Sequence, residues 1–423
     1  MDSIPLNVIK GGSSVAKNVK RQFPKPSELA PLLQFSLPTL RRKKRRLDKA
    51  YTIWDLREIA KKRTPKGPFD YTDGSAESEV SLERARQAYR DLEFIPSILK
   101  DVSTADLTRT ALGETFAMPL GIAPTGFTRM MQTEGEIAGA RAAEKFGIPF
   151  TLSTLGTTTI EDVVASAPTG RNWFQLYMWK DREGSMALVE RAKRAGVKNL
   201  VLTVDVPAAG QRIRDYRNGL TVPPRLTAGT VLNAIPRPAW WINFLTTPSI
   251  EFASMKNWEG TVGELLDYMF DPTMTWEDLK WIRQQWDGTL TVKGIQNLED
   301  AKKAAKLGAD AILLSNHGGR QLDRAPIMLH LLADIKKEFK KDYEIHIDTG
   351  IMHGADVLAA VALGAQFTYV GRAYLYGLMA GGQDGVERAL EIMRTQMVRN
   401  MKLLGVNSLD ELTPKHVRFL NRQ

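Results

Sequence analysis

The stretch LLSNHGGRQLD, residues 313–323, closes an apolar run with a serine, an asparagine and a histidine, then two glycines and an arginine. So dense a polar cluster is costly to bury and suggests chemistry at a strand end. A histidine near an aspartate suits a general base whose imidazolium is stabilised as it forms. Asp205, closing NLVLTVD (199–205), is the partner expected for His317. Arg212 and Arg320 can hold a carboxylate through paired hydrogen bonds, with Tyr71 and Tyr177 as neutral donors beside them. A base working next to an anion, without metal ligands, suggests deprotonation or oxidation of a small acid.

A second group of residues points to a phosphate. Gly350 and Gly354 free the backbone after EIHID (344–348), and Gly371-Arg372 offers N–H groups and a guanidinium. Lys293 is placed to face the negative charge of a reduced cofactor ring. No GxGxxG follows a strand, so a nicotinamide-binding unit is not supported. The chain has no cysteine, which excludes thiol catalysis, disulfides and thiolate metal sites. Its five histidines (317, 330, 346, 353 and 416) lack zinc-ligand spacing, so no metal is expected, and the other four read as packing or surface groups.

These residues end a series of short apolar runs: 118–124, 149–154, 173–177, 199–205, 290–294, 311–316, 344–348 and 367–371. Rich in Val, Ile, Leu and Thr, they read as strands buried on both faces. Helical patterns such as 134–147, 184–196, 298–308 and 354–364 lie between them, each ending at a glycine. Eight strands separated mostly by helices imply an α/β fold, a (β/α)8 TIM barrel with an N-terminal helical extension. A doubly wound open sheet is the alternative. Polar residues gather at the C-terminal ends of the runs, the face on which barrels carry their active sites. Residues 206–275 form a long insert after strand 4, read as a lid or binding loop, with Trp240 and Trp241 as lid or small satellite core.

The net charge of +10 is unevenly placed. Residues 1–67 hold 17 Lys/Arg against 5 Asp/Glu, and the rest hold 41 against 43. The excess centres on RRKKRR (41–46), so residues 1–50 read as a basic, partly extended arm and 51–423 as the barrel domain. Such an arm is either simply solvated or docked on an anionic membrane surface; few aromatics interleave its charges, so nucleic acid is not an expected partner. No run reaches the roughly 18 apolar residues of a membrane span, and the start does not read as a secretory signal. A cytoplasmic protein, peripheral on the inner face of the cell membrane, is the expectation.

SNHGGRQ (315–321) resembles the active-site signature of the FMN-dependent α-hydroxy acid dehydrogenases. The likeness runs from FDYTDGSAE (69–77) to the C-terminal helices through GIAPTG, TLST, FQLY, TVDVP, VKG and IDTG, in family order. The run from IDTGIMHGAD to GRAYLYGLMAGG is most similar to the actinobacterial-type L-lactate dehydrogenases. The resemblance implies that FMN is the cofactor. It implies L-lactate oxidation to pyruvate, with a quinone or other non-NAD acceptor; an oxidase using O2 on lactate, glycolate or mandelate-like acids is the alternative.

The resemblance also assigns residues. His317 becomes the base, oriented by Asp205, and Tyr177 lies near the substrate hydroxyl. Tyr71, Arg212 and Arg320 bind the substrate carboxylate. Pro124, Thr125, Gly126, Ser153, Gln175, Thr203, Lys293 and Ser315 contact the flavin and ribityl parts. Asp348, Thr349, Gly350, Ile351, Met352, Gly371 and Arg372 hold ribityl and phosphate. A homotetramer is implied as well. Three positions depart from common family patterns. Met352 and His353 stand where many members have two arginines, which shifts phosphate binding onto Arg372 and backbone N–H groups. Leu155 replaces the tryptophan of glycolate oxidase, and Gly126 an alanine common in the oxidases, which leans toward a dehydrogenase.

Overall fold

In the computed structural model, residues 42–219, 228–248, 250, 252–254, 269–339 and 343–420 are described, with 25 and 27. The chain divides into a unit of residues 1–44 and a compact unit of residues 45–423. The compact unit begins earlier than the composition shift suggests, because Leu47 and Ala50 are buried in its core.

Eight parallel strands close into a barrel. They are β1 (Leu120–Ile122), β2 (Pro149–Ser153), β3 (Arg171–Tyr177), β4 (Asn199–Thr203), β5 (Thr289–Ile295), β6 (Ala311–Leu314), β7 (Glu344–Ile347) and β8 (Phe367–Val370). Each falls on one of the apolar runs, and β8 pairs with β1 to complete the ring. The helices Gly135–Lys145, Arg182–Arg194, Leu298–Lys306 and Gly354–Ala362 fall on the helical patterns. Their starts are set locally: the Asp181 and Asn297 side chains accept the orphan N–H groups of Gly184 and Asp300.

Alternation along the strands sorts the side chains. Phe174, Leu176, Leu200, Leu202, Val292, Ile312 and Leu314 belong to the main core, which includes the surrounding helices. The opposite parity points into the barrel. At the N-terminal end it is apolar: Trp173, Leu313, Phe367 and Tyr369 pack with Phe116 from the hairpin Arg109–Ala111/Glu114–Phe116. At the C-terminal end the same parity gives Gln175, Thr203, Lys293, Ser315 and Asp348. The polar strand ends read from the sequence are therefore the top layer of the barrel interior.

Two helices before the barrel, Ile53–Arg63 and Lys66–Asp73, lie against the helix Arg372–Gly381 that follows β8. Asp73 ties them together. Its carboxylate accepts from Arg57 at 2.6 and 2.9 Å, Tyr376 Oη at 2.7 Å and Arg214 at 3.1 Å. Burial alone would raise its carboxyl, but the Arg57 and Tyr376 hydrogen bonds reverse the sign and hold it well below the usual carboxylate range. The insert contributes the helices Ile213–Arg217, Ala228–Ala234 and Pro238–Thr246. Trp240 packs inward, donating to Met130 O at 3.0 Å and stacking on Phe244, whereas Trp241 is partly exposed. Among the described residues, no helix is long and apolar enough to cross a membrane.

Replacing Asp73 with Ala leaves two guanidiniums without their shared carboxylate and should lower unfolding stability by about 3 kcal/mol, read by urea titration. The depressed carboxyl contributes stability that is present above its unfolded value and lost as pH falls below about 4. The difference between wild type and variant should therefore shrink on acidification, and a constant difference would rule out the ion-pair account.

Candidate active site

After β6 the chain turns through His317, Gly318 and Gly319 with φ of 58°, 65° and 76°. A Cβ at Gly318 would lie 2.8 Å from Arg372 Nη1, and one at Gly319 would lie 3.0 Å from Leu82 N. Only glycine tolerates both the left-handed backbone and this closeness. The turn is fastened by Asn316 Oδ1 accepting from Gly319 N at 3.0 Å and Ser315 Oγ accepting from His317 N at 3.0 Å. His317 is thereby held in a conformation a non-glycine residue seldom adopts.

The imidazole sits between two partners. Nδ1 lies 3.0 Å from Asp205 Oδ1, and Nε2 lies 3.3 Å from Tyr177 Oη. A carboxylate at Nδ1 assigns the proton to that nitrogen, leaving the Nε2 lone pair facing the cavity side of the ring. Burial pushes the His317 pKa below the usual imidazole value; Asp205 opposes this and Lys293 adds to it. Burial also disfavours the Asp205 charge, but His317 and Lys293 outweigh it and hold that carboxyl below its ordinary range. Burial, with the Asp205 charge beside it, lifts the Tyr177 phenol far above its usual value, so Tyr177 stays a neutral donor.

An open-mouthed cavity lies beside these groups. Of the residues predicted from the sequence, Tyr71, Pro124, Thr125, Gly126, Ser153, Tyr177, Arg212, Lys293, His317 and Arg320 line it. So do Asp348, Thr349, Gly350, Ile351, Met352, Gly371 and Arg372. Asp205, Gln175, Thr203 and Ser315 do not form the wall. Ser315 Oγ accepts from Lys293 Nζ at 3.1 Å, and Lys293 Nζ lies 3.8 Å from Asp348 Oδ2. Gln175 Oε1 accepts from Ser153 Oγ and from Thr154 N, both at 3.2 Å.

The cations are held by backbone oxygens. Arg320 Nη1 donates to Tyr71 O and, at 3.3 Å, to Gly74 O. Its guanidinium lies 4.6 Å from the Tyr71 ring centre, and that of Arg212 lies 5.8 Å from it. Arg372 donates to Thr72 O, Gly318 O and Gly74 O at 3.0, 2.9 and 2.6 Å. Burial lowers Arg372 to about 10, opposed by Tyr376 and aided by the neighbouring Arg320 and Arg86.

Sequence reasoning missed Thr72, Leu82, Arg86, Ala123, Phe270, Tyr369 and Leu375 in the cavity wall. Ala123 and Tyr369 share the inward parity of their strands, a signal that was available. The expectation that backbone N–H groups around Met352 hold phosphate is narrowed, because the Met352 N–H donates to Asp356 Oδ2 at 2.8 Å.

A family model described as FMN-dependent dehydrogenase matches residues 60–419. The chain belongs to the FMN-dependent dehydrogenase family. A relative from Mycobacterium tuberculosis named "Putative L-lactate dehydrogenase" is 58% identical over 96% of this chain and 98% of its own length. An L-lactate dehydrogenase of Vibrio cholerae is 41% identical over 85% of this chain and 96% of its own. Among solved structures, a monotopic membrane (S)-mandelate dehydrogenase is 35% identical with a TM-score of 0.84, covering 88% of this chain and all of that one.

The residues present fit FMN. Gln175 Nε2 and Thr203 Oγ1 are buried polar atoms with no protein partner, at the strand positions paired with the cavity-lining Ser153 and Lys293, and the polar edge of a flavin suits them. Gly371 opens the helix Arg372–Gly381, whose N-terminal N–H groups suit a phosphate.

The His317 pair makes a measurable prediction. Its ring resonance, followed by NMR against pH, should titrate below the ordinary imidazole value of about 6.5. Asp205→Asn removes the charge that raises it and should move the midpoint lower still. A midpoint that rises in the variant would contradict the charge balance given above.

Proposed function

We propose that this protein is an FMN-dependent L-lactate dehydrogenase that delivers electrons to a membrane quinone. The observation that carries the reading is one cavity wall bearing a carboxylate-oriented imidazole, a buried phenol and two guanidiniums stacked around a tyrosine ring. FMN-dependent oxidation of a 2-hydroxy acid with a non-NAD acceptor is the family's chemistry; lactate and quinone are the specific claims. Two relatives carrying L-lactate dehydrogenase names support the first.

His317 Nε2 takes the substrate proton, and Asp205 stabilises the imidazolium as it forms. Tyr177 Oη lies on the same side of the ring as that lone pair and donates to the substrate oxygen. Arg320, Arg212 and Tyr71 hold the carboxylate, presenting the 2-position to the base. Leu155 and Phe270 close the apolar side, which suits a small 2-substituent. When bound, FMN accepts the two electrons released as the 2-hydroxy acid becomes the 2-keto acid.

The acceptor reading rests on the surface. Trp241, Ile242 and Leu245 are exposed on the insert helix Pro238–Thr246, and Leu232 and Ile235 are exposed just before it. At helical spacing the first three share one face. An apolar patch of this kind suits shallow insertion into a bilayer, and the basic run at 41–46 adds about 1 kcal/mol per cation near an anionic surface. A peripheral position on the inner face of the cell membrane follows from this reading. The mandelate dehydrogenase with a similar fold is itself described as monotopic.

Anaerobic mixing with L-lactate, D-lactate, glycolate and L-mandelate, followed at the flavin band, tests the substrate. Bleaching by L-lactate well ahead of the others is expected, and bleaching led by another acid would move the assignment. His317→Ala should keep the colour and lose at least about 10²-fold in turnover, whereas Arg320→Met should act chiefly on KM. Flotation with anionic liposomes tests the surface. The double variant Ile242→Glu with Leu245→Glu places two charges on the apolar face and should weaken binding. Removal of residues 1–44, which leaves core Leu47 in place, should weaken it too. Unchanged flotation in both variants would remove the membrane reading.

A further inference from the structure

At the end of the cavity where the helix Arg372–Gly381 begins, Arg372 is the cation assigned to the phosphate, and position 352 adds none. Met352 stands there, and its backbone N–H is taken by Asp356. Arg372 gives three of its hydrogen bonds to Thr72, Gly318 and Gly74 carbonyls. Two of its five N–H donors remain. A phosphomonoester dianion brings more charge than that leftover capacity matches.

A guanidinium from outside the barrel reaches the same cavity. Arg86 lies on the helix Val80–Arg90 and lines the wall together with Met352, Arg372 and Leu375. Its Nη2 is buried with no hydrogen-bond partner, and among the described residues no carboxylate is paired with it. The guanidinium also rests 5.0 Å from the Trp54 ring centre. Arg86 is close enough to Arg372 to lower its pKa, so two like charges face one space. Such an arrangement is unfavourable until an anion enters it.

The helix is placed by three contacts. Asp323, from the loop after β6, accepts from Ser81 N at 2.8 Å and Val80 N at 3.4 Å and caps its start. Leu82 N presses on Gly319, and Ala85 O lies so near Gly350 that a Cβ there would approach to 2.8 Å. Arg86 is therefore seated against both the β6 and β7 loops.

We propose that Arg86 supplies a second cation, beside Arg372, for the cofactor phosphate. This rests on the FMN reading, and the experiment separates the two.

Full-length protein stripped of flavin is titrated with FMN and with riboflavin, which has no phosphate, following flavin fluorescence. Arg86→Met should weaken FMN about 10- to 100-fold, the range of a charge-assisted contact, and leave riboflavin unchanged. Arg86→Lys should recover part of the loss, since it returns the charge without the planar fork. Equal weakening of both ligands would make Arg86 a packing residue, and unchanged FMN affinity would remove it from the site. If the wild-type protein binds neither flavin, the cofactor reading itself fails and this assignment falls with it.

Discussion

Holding guanidiniums at a barrel mouth on peptide carbonyls, with no direct hydrogen bond to a carboxylate among the described residues, is the constraint on which the site depends. Among the described residues, Arg320 and Arg372 form no ion pair with a carboxylate; peptide carbonyls carry them instead, and both donate to Gly74 O. A carboxylate bonded directly to either guanidinium would occupy the donors that an incoming anion needs. Dipoles solvate the cations and leave donors free for two anions, a substrate carboxylate and a phosphate. The same charges favour the neutral imidazole: burial lowers the His317 pKa most, and Lys293 and Arg212 add to it.

Apart from that of Gly318, these carbonyls come from residues 71–74 at the end of the helix Lys66–Asp73, so the position of that segment matters to the chemistry. Asp73 fixes it through Arg57, Tyr376 and Arg214. Arg214 also pairs with Glu79 and so draws the insert's first helix to the loop before Val80–Arg90. One ion-pair cluster on the outside of the mouth thus sets the carbonyls that hold the cations inside it. Stability and catalysis are coupled here through a backbone segment that touches the substrate pocket only with Tyr71 and Thr72.

The barrel was legible because its signal is local. Each strand is a short Val/Ile/Leu/Thr run, and the polar residues that close it fall on the inward parity. SNHGGR was legible because a histidine and an arginine around two glycines have no structural reason to be so dense. What remained hidden is set by tertiary packing. Arg84, Arg86 and Arg90 look alike in VSLERARQAYR, and only the seat of that helix on Gly319 and Gly350 turns Arg86 into the cavity. The helix's cap comes from Asp323, far along the chain, where no local capping signal exists. Asp73 and Tyr376 are likewise distant in sequence and meet only because two helices cross.

Gly126 and Leu155 show how a pocket departure is better read as a pair than as two substitutions. Both line the cavity. A Cβ at 126 would come within 2.8 Å of Leu155 Cβ and 3.1 Å of Leu155 O. The second contact is with backbone, which a rotamer change at 155 does not relieve. A side chain at 126 therefore requires the β2 loop to move, and Leu155 keeps its place only while 126 is glycine. Phe127, next in the chain, donates its N–H to Leu155 O at 3.1 Å and ties the two loops by backbone as well. The β1 and β2 loops consequently act as one surface facing the flavin site. The shape of that surface follows from how closely two backbones approach, a property that neither residue discloses alone.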